Sequence, residues 1–155
     1  LCPKMRLLES NHGSLIYRRM KAKGIPIRTL KPLNELYEAP LWTWHHELIV
    51  EMVLGPIYLC YGKSGTYGKL CKEMGCSTIQ GHFHGKLEVT WHKSSTGMRF
   101  NAFTGCLVDF NSMAMAYGRN NIQRPLLGSL LIDQAGLPWP MHMILNEKGN
   151  WNGAV

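Results

Sequence analysis

Ser77-Thr78-Ile79-Gln80-Gly81-His82-Phe83-His84-Gly85-Lys86-Leu87-Glu88-Val89-Thr90-Trp91 reads as a short strand, a glycine-bounded turn and a second strand. Leu87, Val89 and Trp91 alternate with Lys86, Glu88 and Thr90, the period of a strand with one face buried. Between Gly81 and Gly85 stand two imidazoles one residue apart. Glycine lets the backbone bend, so both rings can approach a common centre, a geometry suited to metal ligation. Surface turns with no ligand carry the same spacing, and the residues alone leave both readings open.

Working outward, Tyr67, Leu70, Cys71 and Met74 fall at i, i+3, i+4 and i+7 after a loop at 62–65, which predicts an amphipathic helix ended by Gly75. Strands are expected at 47–52 and 57–61, joined across Gly55-Pro56. Residues 29–42 read as a proline-bounded connection with a short helix at 34–37. Nearer the start, a strand at 4–9 runs into Ser10-Asn11-His12-Gly13-Ser14. Ser14 is placed to cap a helix with Leu15, Ile16 and Met20 on one side, stopped by Gly24 and Ile25-Pro26. Downstream strands are expected at 98–103, 113–117, 126–132 and 141–145. No repeat or linker divides the chain, so one mixed α/β domain over residues 1–155, strand-rich and packed in layers, is the expectation.

With 155 residues, 45% hydrophobic and 17% charged, the chain can bury one core and is too apolar for disorder. No apolar run reaches the length of a membrane span, and the first residues are too short and interrupted for a signal peptide. No membrane partner is expected. The chain starts at Leu1 rather than Met, so it is read as processed or as a piece of something longer. Five cysteines without a C-x-x-C leave one over in any full pairing; reduced thiols packed as small hydrophobes fit a cytoplasmic location. A formal charge of +7 favours an anionic partner, nucleic acid first and a phosphorylated small molecule second. The cations Arg18, Arg19, Lys21, Lys23, Arg28 and Lys31 follow one another with no acid among them. That run is either a phosphate-facing surface or a solvated helix face.

Asn11-His12 is the second candidate. An asparagine oxygen is a neutral ligand for a divalent metal, and a histidine at a strand-to-helix turn can meet a phosphate oxygen or protonate a leaving group. The same pair also suits a plain capping turn. Trp44-His45-His46 is weaker, because adjacent residues of an extended chain face opposite ways. His92 and His142 read as structural. Gly62-Lys63-Ser64 lacks the spacing of a P-loop and no G-x-S-x-G occurs, which excludes NTPase and serine-hydrolase readings. Asp109 and Asp133, the two aspartates, are few for a carboxylate-rich metal cage.

Asn11-His12 followed by Gly81-His82-Phe83-His84, in that order, resembles the calcineurin-like metallophosphoesterases, most of all their tailed-bacteriophage version. The likeness takes in Glu9-Ser10-Asn11-His12-Gly13-Ser14-Leu15 with its basic helix, Tyr61-Gly62-Lys63-Ser64, Ile79 to His84, and Gly105 to Asp109 through Ala116-Tyr117 to Arg124-Pro125. It spans nearly the whole chain but only the C-terminal portion of the family domain. The resemblance implies a four-layer α-β-β-α sandwich, incomplete at its N-terminal side, and metal-activated water attacking phosphorus, with manganese as the expected divalent ion. It implies that Asn11 and His82 ligate the second metal and His84 the first, that His12 is catalytic at the phosphate or leaving group, and that Arg18, Arg19 and Lys63 contact phosphate or nucleic acid.

Three departures qualify what the resemblance implies. Gly13 stands where an acidic residue usually orients the histidine, a variant shared with the phage type. Tyr61 fills a slot usually held by a metal-binding histidine, and a neutral phenol is a poor ligand. The D-x-H and G-D motifs that bring the bridging aspartate are absent, so the missing carboxylates would come from upstream residues or a second polypeptide. A phosphoesterase of phosphodiesters or phosphomonoesters, nuclease-like and located in the host cytoplasm if phage-encoded, is the expectation. The alternatives are a non-catalytic phage binding or structural protein that keeps a basic nucleic-acid-binding face, and a small single-metal protein held by His82 and His84.

Overall fold

The computed structural model describes residues 3–108, 124–147, 151 and 153. The strand expected at 113–117 lies outside them, as does Asp109. The chain separates into two compact units, Leu1–Leu48 and Ile49–Val155.

In the first unit, β1 (Met5–Leu8) pairs in parallel with β2 (Trp42–His45), Met5 opposite Trp42 and Leu8 opposite His45. Between them lie helix α1 (Leu15–Ala22), a 3₁₀ turn (Ile27–Thr29) and the one-turn helix α2 (Leu33–Leu36). Gly24 takes φ +68 just beyond α1, the left-handed conformation that ends helices. The cap expected of Ser14 does not form. Its backbone is already helical (φ −78, ψ −6), whereas an N-cap needs extended backbone, and its hydroxyl donates back to the Asn11 carbonyl at 3.3 Å.

The second unit is built on a mixed five-stranded sheet in the order β3-β4-β5-β7-β6. Its strands are β3 (Glu47–Met52, starting at the boundary between units), β4 (Gly55–Cys60), β5 (Ser77–Gln80), β6 (Leu87–Ser94) and β7 (Gly97–Thr104). β4, β5 and β7 run parallel, while β6 and β7 form an antiparallel hairpin with Val89 opposite Ala102 and Trp91 opposite Phe100. The parallel crossover from β4 to β5 carries helix α3 (Lys69–Met74), which starts later than its apolar spacing predicts because Gly68 turns left-handed at φ +66. A second hairpin joins β8 (Gly128–Ile132) to β9 (Pro138–His142).

Period-two alternation sorts the core into two faces. Ile57, Ile79, Phe100 and Ala102 form one cluster, with Leu130 and Ile132 of β8 packed on it. Tyr58, Cys60 and Leu70 form the other, beneath α3. The result is a mixed α/β fold with few helices. No helix among the described residues is long and apolar enough to cross a membrane.

Candidate functional site

β4 and β5 are parallel neighbours, so the loops that follow them leave the same edge of the sheet, the edge where open α/β sheets bind ligands. Tyr61 follows β4 and His82 follows β5, and their rings lie 5.0 Å apart. The sequence suggests that Gly81 and Gly85 supply the bend. Instead the bend falls on His82 itself, at φ +66, one of two described non-glycine residues with positive φ. The Phe83 N–H donates to the Gly81 carbonyl at 2.7 Å, closing a tight three-residue turn over His82. Holding an L-residue there costs about 1–3 kcal/mol, and such strain persists only where the surroundings over-determine it.

The surroundings do so on three sides. A Cβ on Gly62 would lie 2.6 Å from the His82 Cβ and within 3.3 Å of its ring, so the glycine clears the space that the His82 side chain occupies. Phe83 packs inward edge-on to Phe103 at 5.4 Å and against Gly65, which anchors the residue between the two histidines. His84 is tied by its backbone: its N–H donates to the His82 carbonyl at 3.0 Å and its carbonyl accepts from the Leu126 N–H at 2.8 Å. His82 is exposed and His84 half-buried.

Two scaffold residues escape sequence reasoning. Gln80, fully buried, accepts from the Lys63 and Ser64 N–H groups at 2.9 and 3.1 Å and donates to the Ser64 carbonyl at 3.1 Å, fixing the loop after β4 from inside the sheet. Its position immediately before the His turn is the signal that could have found it. Lys86 donates to the Gly65 carbonyl and sets its ammonium 4.0 Å from the Tyr67 ring and 4.8 Å from Phe103, a cation–π clamp between the two loops. The Tyr67 hydroxyl is held by Glu88, a hydrogen bond that pushes the phenol above its ordinary pKa. Lys63 directs its ammonium over the Tyr58 ring at 5.1 Å.

In the first unit the turn after β1 is knitted locally. Gly13 N–H donates to the Ser10 hydroxyl at 2.8 Å, and the Arg18 guanidinium donates to the Asn11 carbonyl at 2.6 Å. Arg18 is thereby fixed against the Asn11-His12 turn, and both residues of that pair are exposed. His12 lines a cleft of about 440 Å³ together with Ser10, Tyr17, Tyr37, Trp42 and Trp44. Arg19 is exposed on α1. His45 and His46 make separate contacts, His45 with the Thr43 hydroxyl at 2.8 Å and His46 with Glu9 at 3.0 Å.

Asn11, His12, Arg18 and Arg19 thus belong to the first unit, and Tyr61, Lys63, His82 and His84 to the second. Among the described residues no three His, Cys, Asp or Glu side chains group as metal ligands. A dication takes at least four donors, so the pair His82 and His84 does not by itself fit a metal centre, and still less two. Asp133, the one described aspartate, is spent on the β8–β9 hairpin, accepting from the Leu137 and Gly136 N–H groups and from the Trp139 indole. No family model, no curated protein and no solved structure matches this chain.

Proposed function

We propose that this chain is the asparagine- and histidine-bearing part of a metal-dependent phosphoesterase of the calcineurin-like type. It would hydrolyse phosphodiester or phosphomonoester bonds, with nucleic acid the favoured substrate. The observation that carries the reading is His82, held left-handed at the carboxyl end of β5 beside Tyr61, with Gly62 clearing its space. Strained, over-determined residues at that edge of a sheet are the signature of a functional turn. In this reading the five-stranded sheet is one of the two inner layers of the α-β-β-α sandwich. In the second unit His82 and His84 keep the ligand roles of the resemblance and Lys63 its phosphate contact; in the first, Asn11 keeps its ligand role and Arg18 and Arg19 theirs toward phosphate. His12 supplies an imidazole, the side chain best suited to give a proton to a leaving alkoxide near neutral pH.

The described donors do not complete a manganese pair, so in this reading the bridging carboxylate would come from upstream residues or a second polypeptide. That same deficit supports the second reading, a non-catalytic protein that keeps the basic face. Adding the segment that carries the missing aspartates separates the two. The phosphoesterase reading expects manganese-dependent cleavage of a generic phosphodiester, abolished by His84→Ala. No cleavage, with nucleic-acid binding that weakens steeply with salt, would establish the binding protein instead.

A further inference from the structure

We infer that the aromatic cleft of the first unit is a base-stacking site for single-stranded nucleic acid. This unit buries almost nothing: Ala39 is its one buried hydrophobic residue among those described. Its large aromatic side chains are therefore not spent on a core. Tyr17, Tyr37, Trp42 and Trp44 line one cleft of about 440 Å³, within the size range of ligand sites. The Tyr37 and Trp44 rings lie 19° from parallel with centroids 5.9 Å apart, and Tyr37 stays 58% exposed. Trp42 is pinned through its indole N–H to the Pro3 carbonyl at 3.1 Å and leans on Trp44 at 6.2 Å. The cleft walls are thus preset aromatic faces, partly open to water.

Charge selects the occupant. Residues 1–48 hold eight Lys and Arg against four Glu. Arg18 is fastened to the carbonyl of Asn11, the turn whose next three residues, His12, Gly13 and Ser14, form one wall of the cleft. Glu9 also lines the cleft, in contact with His46 at 3.0 Å, so the fixed cation beside it is Arg18. An aromatic face beside a fixed cation is what a single strand requires, since every base offers a π-face and every linkage a negative charge. A duplex hides its base faces and would engage only the charge. The inference deepens the phosphoesterase reading by naming its substrate class, and it rests on that reading only for the link between the cleft and His12.

Fluorescence anisotropy on the 155-residue chain tests it, with a short labelled single strand, a duplex of equal length and an acidic peptide of equal charge. The single strand should bind most tightly. Trp44→Leu should weaken that binding about 5- to 150-fold while leaving duplex binding unchanged, and Trp44→Phe should restore it. If circular dichroism shows Trp44→Leu misfolded, Tyr37→Leu, at an exposed position, should give the same selective loss. Equal binding of all three probes, or an equal fold-loss of single-strand and duplex binding in the Leu variants, overturns the inference. Cleavage by the completed protein without single-strand preference would sink this inference and leave the phosphoesterase reading standing. Stacking without cleavage would do the reverse.

Discussion

Residues Ile49–Val155 hold a core of Ile57, Tyr58, Cys60, Leu70, Cys71, Ile79, Leu87, Phe100, Ala102 and Phe103, whereas Ala39 is the corresponding buried residue of Leu1–Leu48. The difference follows from the lengths and the pairing. A sheet of five strands gives two faces to cover, and α3 and the β8–β9 hairpin cover them. A 48-residue unit with a two-stranded ladder has too little surface to bury and is held by backbone hydrogen bonds, the Trp42–Pro3 contact and local turns. What the first unit keeps at its surface, aromatics and cations, is what a binding cleft needs. The second unit instead spends its packing on holding His82 and His84.

The sharpest way to break that comparison is a pair of truncations. Phe103→Ala, fully buried under Phe83 and Tyr67, should lower unfolding free energy by about 3–5 kcal/mol in urea titration. Ile16→Ala, on a side chain 45% exposed, should cost no more than about 0.5 kcal/mol. Equal losses would mean that the first unit has a core after all.

A second pair separates backbone strain from close packing within the second unit. Gly68 and Gly75 both sit at φ +66, but a Cβ on Gly68 would meet the His92 ring at 2.5 Å while one on Gly75 meets nothing within 4 Å. Gly75→Ala should cost about 1–2 kcal/mol, the left-handed penalty alone, and Gly68→Ala measurably more. Identical melting shifts would show that the approach of His92 to α3 is not tight.

The smallest effect is the response of the β8–β9 hairpin to acid. The Leu137 N–H, foremost, together with the Trp139 indole and the Gly136 N–H, holds the Asp133 carboxyl below its ordinary pKa. A depressed carboxylate stabilises the fold above its unfolded pKa of about 3.9, and that contribution is lost as pH falls through the folded value. Protection of the β8 and β9 amides, taken relative to intrinsic exchange at each pH, should therefore fall below about pH 4 in the wild type, while Asp133→Asn removes this step. An unchanged acid profile in the variant would assign the loosening elsewhere.

The spans of the β6–β7 hairpin were legible from alternation, but its one-sided burial was not: Leu87 is buried, whereas Trp91 on the same face is 43% exposed and Glu88, Thr90 and His92 on the other face are half-buried. β2 was not legible. Trp42-Thr43-Trp44-His45 is four residues long, and its partner β1 lies far away in the chain, so nothing local announces the parallel pairing. The His turn was legible as a bend, but its mechanism was not. Glycine neighbours suggest themselves from the sequence, whereas the left-handed residue is His82, and the room for it comes from Gly62 on the adjacent strand's loop. The roles of Gln80 and Lys86 depend on that same juxtaposition of two loops, which spacing within either one does not encode.

The central claim is that His82 and His84 form the ligand-bearing turn of a metal-dependent site. Paramagnetic broadening of the histidine imidazole signals of this chain, titrated with manganese, addresses it directly, because broadening reports even weak metal approach residue by residue. The account predicts early loss of the His82 and His84 signals while those of His46, His92 and His142 stay sharp, with the selectivity abolished in His84→Ala. Equal broadening of all the histidines, or none at excess manganese, would contradict it.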